Sequence, residues 1–244
     1  MRIPIPKLLH GVSLAAALGL LALGGCAATP TLYSHQQMVQ LGAQAYSRIK
    51  QQTPASHNAA LNSYVQCVVS HLAAQTPRKD WDVTVFKSEE ANAFALPGGK
   101  IGIYTGILKY ANTQAELAAV VGHEMGHVLA NHINERMSRA TITQLGLQAV
   151  GAAIGGSGSE HQTVMALLGV GAKVGLMLPF SREQESQADL IGLRLMAKAG
   201  FDPRAAIQLW KDMSQAGGGR PPEFLSTPPP PPPPRIAQKP RYLG

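Results

Sequence analysis

Two cysteines among 244 residues give this chain no means of building a disulfide framework. One of them, Cys26, sits in a targeting motif. The other, Cys67, is then alone, so no intramolecular disulfide can form, and its apolar helical surroundings predict a small buried hydrophobe. Aromatic residues are scarce, at 5%, and the basic residues behind the net charge of +7 are scattered rather than interleaved with them. That pattern speaks against nucleic acid as a partner. Attraction to anionic lipid is a milder reading of the charge, and no charge-selected partner is the plainest. Apolar runs are short against the roughly 20 residues of a membrane span, and no internal repeat is present.

What the chain does have begins with its N-terminus. Arg2 and Lys7 precede an apolar run from Val12 to Leu23, and Leu23-Gly24-Gly25-Cys26 resembles a bacterial lipobox. The implied processing is cleavage before Cys26 and lipidation of that cysteine; the alternative, an uncleaved anchor, has too short an apolar run. Ala27, in place of an aspartate, points to the outer membrane of the envelope. Residues 1–25 are thus expected to be a lipoprotein signal peptide, 26–34 a tether, 35–216 a folded domain and 217–244 a Pro/Gly-rich tail. Within that tail, seven consecutive prolines from Pro228 to Pro234 require extended polyproline II.

The domain reads as α+β and mainly helical. Met38, Leu41, Ala45 and Ile49 recur at helical spacing from His35 to Lys50, and Leu61 to Leu72 repeat the pattern after Pro54. Trp81–Phe86, Ala91–Leu96 and Lys100–Tyr104 read as strands, with Pro97-Gly98-Gly99 as a turn. The expectation is a small antiparallel sheet beside the helix that follows. Asn92, Ala93, Phe94 and Ala95 are candidates for an edge that binds a substrate backbone by strand addition; an ordinary hairpin is the alternative. Two Gly/Ala-rich runs, Ile142–Ile154 and Val164–Leu178, suggest a helical hairpin packed over the groove or leaning on a membrane surface. Further helices open at Ser181 and after Pro203.

His123-Glu124-Met125-Gly126-His127 carries the chemistry. On a helix, positions i and i+4 share a face, so two imidazoles can hold one metal ion and Glu124 can reach water beside it. In an exposed helix the two histidines would be ordinary polar residues. Here Leu117, Val120, Val121, Met125 and Val128 surround them with apolar positions, and buried imidazoles need partners. His132 lies off the ligand face and is read as supporting the site or as structural. A catalytic zinc needs a third protein ligand. His161 and Glu160 lie in a Gly/Ser loop, Glu223 lies in the tail, and Glu183 points away from Glu185 and Asp189. Glu185 and Asp189, four apart on one helix, fit best: Glu185 on the metal, Asp189 on the free N–H of a ligating histidine. A solvated acidic face is the alternative.

Asn92–Gly99, His123–His127 and Ser181–Asp189 together resemble zincin metallopeptidase family forty-eight, whose members include HtpX-, BepA- and LoiP-like proteases. The resemblance covers nearly all of residues 27–244. It implies one Zn2+ held by His123, His127 and Glu185, Glu124 as catalytic base, and Asp189 closing the E-x-x-x-D pattern. It also implies a periplasmic enzyme acting on unfolded or misassembled envelope proteins, with the outer-membrane assembly machinery as a possible partner. BepA-like members carry Ser-Thr-His-Pro near the end of the protease domain; here Ser226-Thr227 runs into Pro228, so that histidine is missing, as is their repeat domain.

The expected activity is that of a zinc endopeptidase, with Arg182 an oxyanion donor or a structural residue. The rival is a lipoprotein chaperone that holds unfolded outer-membrane proteins around a structural zinc. A closed structural site needs a fourth ligand, and no Cys or His near Glu185 offers one.

Overall fold

The computed structural model describes residues 31–153 and 180–215. The signal peptide, Cys26, most of the tether, the second apolar run and the Pro/Gly-rich tail with Pro228 lie outside the described residues. The first helix, α1 (His35–Gln52), starts at a reciprocal cap. The Ser34 hydroxyl accepts from Gln37 N at 3.2 Å, and the Gln37 side chain accepts from Ser34 N at 2.8 Å. Asn58 caps α2 (Ala59–Ala73) in one direction only, its side chain accepting from Leu61 N at 3.1 Å. Both helices bury one apolar stripe: Met38, Ala45 and Ile49 on α1, and Val65, Val68, Val69 and Leu72 on α2. Cys67 is exposed, contrary to expectation. It lies two residues, hence about 200°, from Val65 on the helical wheel, so the apolar run around it faces inward without it.

The strands β1 (Asp82–Phe86), β2 (Ala93–Leu96) and β3 (Lys100–Tyr104) form one sheet in the order β1-β3-β2. β2 and β3 are an antiparallel hairpin, Ala93 opposite Ile103 and Leu96 opposite Lys100. β1 and β3 run parallel, Asp82 opposite Lys100 and Phe86 opposite Tyr104. The sheet is therefore mixed, which corrects the antiparallel expectation. The chain reaches β2 first and folds back, so β3 enters between the two earlier strands in the direction of β1. β2 is left at the edge.

Each face of this sheet meets a different partner. Val85, Ile101 and Ile103 join Val65, Val69, Leu117 and Val121 in one core. Phe86, Leu96 and Tyr104 join Tyr46 and Ile49 of α1 in a second. The Tyr46 hydroxyl lies 2.7 Å from Thr84 Oγ1 and 3.0 Å from Ile101 O, tying α1 to both parallel strands. A short 3-10 turn (Thr105–Lys109) then leads to α3 (Gln114–Leu129).

The chain breaks after α3 at Asn131, which adopts φ +60°, and α4 (His132–Ala153) begins at the next residue. α5 (Arg182–Lys198) packs along α3, and α6 (Ala205–Gln215) adds Leu209 to the larger core. α5 ends at Gly200, φ +84°, where Phe201 N reaches back to Met196 O at 2.9 Å. The seam between α3 and α5 is made of backbone. A Cβ on Gly126 would lie 2.7 Å from Ala188 O, and one on Gly192 would lie 2.8 Å from His123 N. Only hydrogen atoms fit at those points.

Gly192→Ala tests the seam. Helix propensity favours alanine by about 1 kcal/mol, but overpacking against backbone that cannot rotate away costs about 1–3 kcal/mol. Urea denaturation is expected to show net destabilisation, with metal retention impaired in the fraction that stays folded.

Candidate metal centre

α3 starts at a second reciprocal cap, Thr113 with Glu116, at 2.9 and 3.2 Å. From that fixed start, residues 116 to 127 are all buried, so the motif is not on a surface helix. α5 starts at a third such cap, Ser181 with Gln184. That start sets the phase that turns Glu185 and Asp189 inward, while Glu183 is exposed.

The two helices meet at three atoms. His123 Nε2 and His127 Nε2 are 3.0 Å apart, and Glu185 Oε2 lies 3.4 Å from the first and 3.9 Å from the second. All three side chains are nearly inaccessible to solvent. Two lone pairs and a carboxylate oxygen crowded in this way repel one another unless a cation, proton or metal, lies among them. Glu185 Oε2 is also buried with no hydrogen bond beyond its 3.4 Å ion-pair contact with His123, a state that a metal relieves more fully. Among the described residues, His123, His127 and Glu185 form the one group competent to hold a metal ion. Their two imidazoles and one carboxylate match a catalytic rather than a structural donor set.

Around this centre the residues divide by what they touch. Asp189 Oδ1 is 2.8 Å from His123 Nδ1, where it fixes the ring and its tautomer. Glu124 accepts from Ala95 N at 3.1 Å, across to the edge strand. His132 Nδ1 is 3.1 Å from His127 Nδ1, and its Nε2 is 3.0 Å from Gln187 Oε1. Phe180 stacks on His127 with ring centroids 3.9 Å apart, and the Arg136 guanidinium lies 4.0 Å from the Phe180 centroid.

Burial sets the protonation of the centre. It is the largest influence on His123 and disfavours its charge, yet the carboxylates of Asp189 and Glu185 outweigh it and raise the imidazole to about 9. Glu124 is pushed up to about 7, chiefly by burial, with His123 opposing. His127 is held well below the usual range by burial and by the positive charge of His123, and His132 is lowered mainly by burial.

His123, Glu124, His127, Glu185 and Asp189 thus come together as the sequence indicated. Of the four edge residues, Ala95 points its N–H out of the sheet. Strand alternation gives Ala93 the same orientation. Asn92 O instead accepts from Tyr104 N within the hairpin, and the Phe94 ring packs on Phe86 and Tyr104. Arg182 is exposed at the first position of α5; the arginine buried beside the centre is Arg136. Arg136, Phe180 and Gln187 were not singled out in the sequence. The spacing of His132 and Arg136, i and i+4 on α4, is the one signal that could have drawn attention to that helix face.

The family model for peptidase family M48 matches residues 56–238. The chain belongs to this family. It is 37% identical over 161 residues to the mitochondrial metalloendopeptidase OMA1 of Arabidopsis thaliana, covering 64% of this chain and 30% of that protein. The OMA1 of Schizosaccharomyces pombe is 36% identical over 167 residues, 68% of this chain and 47% of that protein. The beta-barrel assembly-enhancing protease of Escherichia coli K12 is 31% identical over 191 residues, 74% of this chain and 38% of that protein. The chain spans about a third to a half of the length of these M48 relatives. Among the described residues no helix is long and apolar enough to cross a membrane.

Two measurements check the electrostatics of this M48 centre. Metal uptake must displace the proton on His123 below about pH 9, so calorimetry at pH 7–8 in buffers of different ionisation enthalpy is expected to show about one proton released per ion. Glu124 is raised in the folded state, so its charged form opposes folding as pH rises from the unfolded carboxylate range through about 7. Metal-free Glu124→Gln protein is therefore expected to melt above wild type at pH 8, with the gap closing toward pH 5.

Proposed function

We propose that the chain is a zinc-dependent endopeptidase of the bacterial cell envelope that cleaves unfolded or misassembled proteins, those of the outer membrane above all. The observation that carries the catalytic part is the pairing of a three-donor centre with a carboxylate, Glu124, buried beside it and hydrogen-bonded to an edge strand. His123, His127 and Glu185 would hold the zinc, with Asp189 and His132 supporting the two imidazoles. When bound, the ion supplies Lewis-acid chemistry, polarising the scissile carbonyl and acidifying water at its open position.

The chain's own residues do the rest. Glu124, near 7 because it is buried, is matched to taking a proton from water at neutral pH and returning it to the leaving amine. The outward backbone of Ala93 and Ala95 offers a strand-shaped peptide a partner in register with the centre. An extended backbone is what an unfolded substrate presents and a folded one withholds. The buried Arg136 adds positive charge near Glu124 and is better placed than Arg182 to favour an anionic transition state.

The envelope part rests on other grounds. The lipobox-like Leu23-Gly24-Gly25-Cys26 supports lipidation at Cys26 and periplasmic attachment to the outer membrane. The likeness to a beta-barrel assembly-enhancing protease supports outer-membrane proteins as substrates and their assembly machinery as a partner.

Glu124→Gln is expected to retain one zinc per chain and to lose cleavage of an unfolded outer-membrane protein by about 10²–10⁴-fold. Glu185→Gln is expected to lose both metal and activity. Undiminished proteolysis by Glu124→Gln would sink the enzymatic reading. Zinc-bound wild type that holds the substrate but never cuts it would establish the chaperone instead.

A further inference from the structure

We propose that His132, braced by Gln187, is a positioning residue that fixes the tautomer of His127 and so sets how firmly the centre holds its metal. The inference rests on the metal-centre reading and extends it to His132, outside the H-E-x-x-H motif, and to Gln187, an unspecified position within E-x-x-x-D.

A neutral imidazole has one N–H and one lone pair. His127 faces the other donor atoms with Nε2. Whether a metal or a proton on His123 Nε2 lies there, His127 Nε2 must supply the lone pair, which puts the His127 proton on Nδ1. That proton points at His132 Nδ1, 3.1 Å away. His132 Nδ1 must then accept, which puts the His132 proton on Nε2, and Nε2 meets the Gln187 amide oxygen at 3.0 Å. Each link has a donor on one side and an acceptor on the other, and one direction runs through all three. If the proton of His132 moved to Nδ1, two N–H groups would face each other and His127 would have to give up its ligand tautomer.

The fold holds the two imidazoles of this relay in place, while Gln187 at its outer end is exposed. Asn131, at φ +60°, ends α3 and turns α4 back, so the His132 ring reaches the far nitrogen of His127 from a second helix. His132 is 1% exposed, so no water competes for its Nδ1. Gln187 comes from α5, the helix that also supplies Glu185 and Asp189. The two histidine ligands are therefore backed differently: His123 by the carboxylate of Asp189, His127 by a neutral imidazole relay.

The test uses the full-length protein, with zinc as the probe. Long-range 1H–15N correlations on histidine-labelled, metal-free protein read the His127 tautomer, and chelator competition reads zinc affinity. Wild type is expected to show His127 protonated at Nδ1. His132→Leu should lose that preference and weaken zinc binding by about 10–100-fold, and should melt lower before metal is added because the buried His127 N–H loses its acceptor. His132→Asn places Oδ1 the same number of bonds from Cβ as the lost Nδ1, and should restore the tautomer and most of the affinity. Gln187→Leu should fall between. Wild-type affinity and tautomer in His132→Leu, or an equal loss in His132→Asn, would overturn the inference while leaving the metal centre intact. A wild type that takes up no zinc would overturn the metal-centre reading itself, and this inference with it.

Discussion

The close approach of α5 to α3 is the constraint on which the rest of the site depends. Two helices with ordinary side chains between them pack with axes about 8–10 Å apart. Here Gly126 and Gly192 let backbone touch backbone, which brings Glu185 and Asp189 within reach of two short imidazole side chains. With bulkier residues at the seam, the carboxylates on α5 would stand back from the histidines on α3, and no rotamer would recover the distance. The chemistry of the centre is thus fixed by residues that have no chemistry.

Drawing the helices together also buries charge, and the site answers with pairing. Asp189 and Glu185 hold a proton on His123 against burial, and Glu124, buried in the same environment, is raised to about 7. A carboxylate poised near 7 is a useful base and a poor contributor to stability. Folding tolerates it because Ala95 N–H and the neighbouring positive charge share its cost.

Much of this was legible in the sequence because it is local. Apolar periodicity marks the helix from His35, a helix opens at Ser181, and i, i+4 spacing puts His123 with His127 and Glu185 with Asp189. What could not be read depends on partners distant in the chain. The parallel pairing of β1 with β3 follows from which strand enters the middle of the sheet, and alternation within a strand carries no information about that. Cys67 looked internal because its neighbours are apolar, yet the buried stripe of α2 passes it by. Phe180, Arg136 and Gln187 acquire roles only when α4 and α5 fold against α3. Phe180 and Arg136 lie outside any short motif, Gln187 is an unspecified position inside one, and the Asn131 break that redirects α4 is a single residue with a left-handed backbone.

The hydrogen bond between Ala95 and Glu124 joins two quantities that are usually discussed apart. Its N–H belongs to the open edge of the sheet, and its acceptor is the proposed base. This donor lowers the proton affinity of the carboxylate. A strand that captures the N–H returns that affinity to Glu124. Occupation of the edge and basicity at the centre are then linked functions in the thermodynamic sense, each shifting the other by the same free energy.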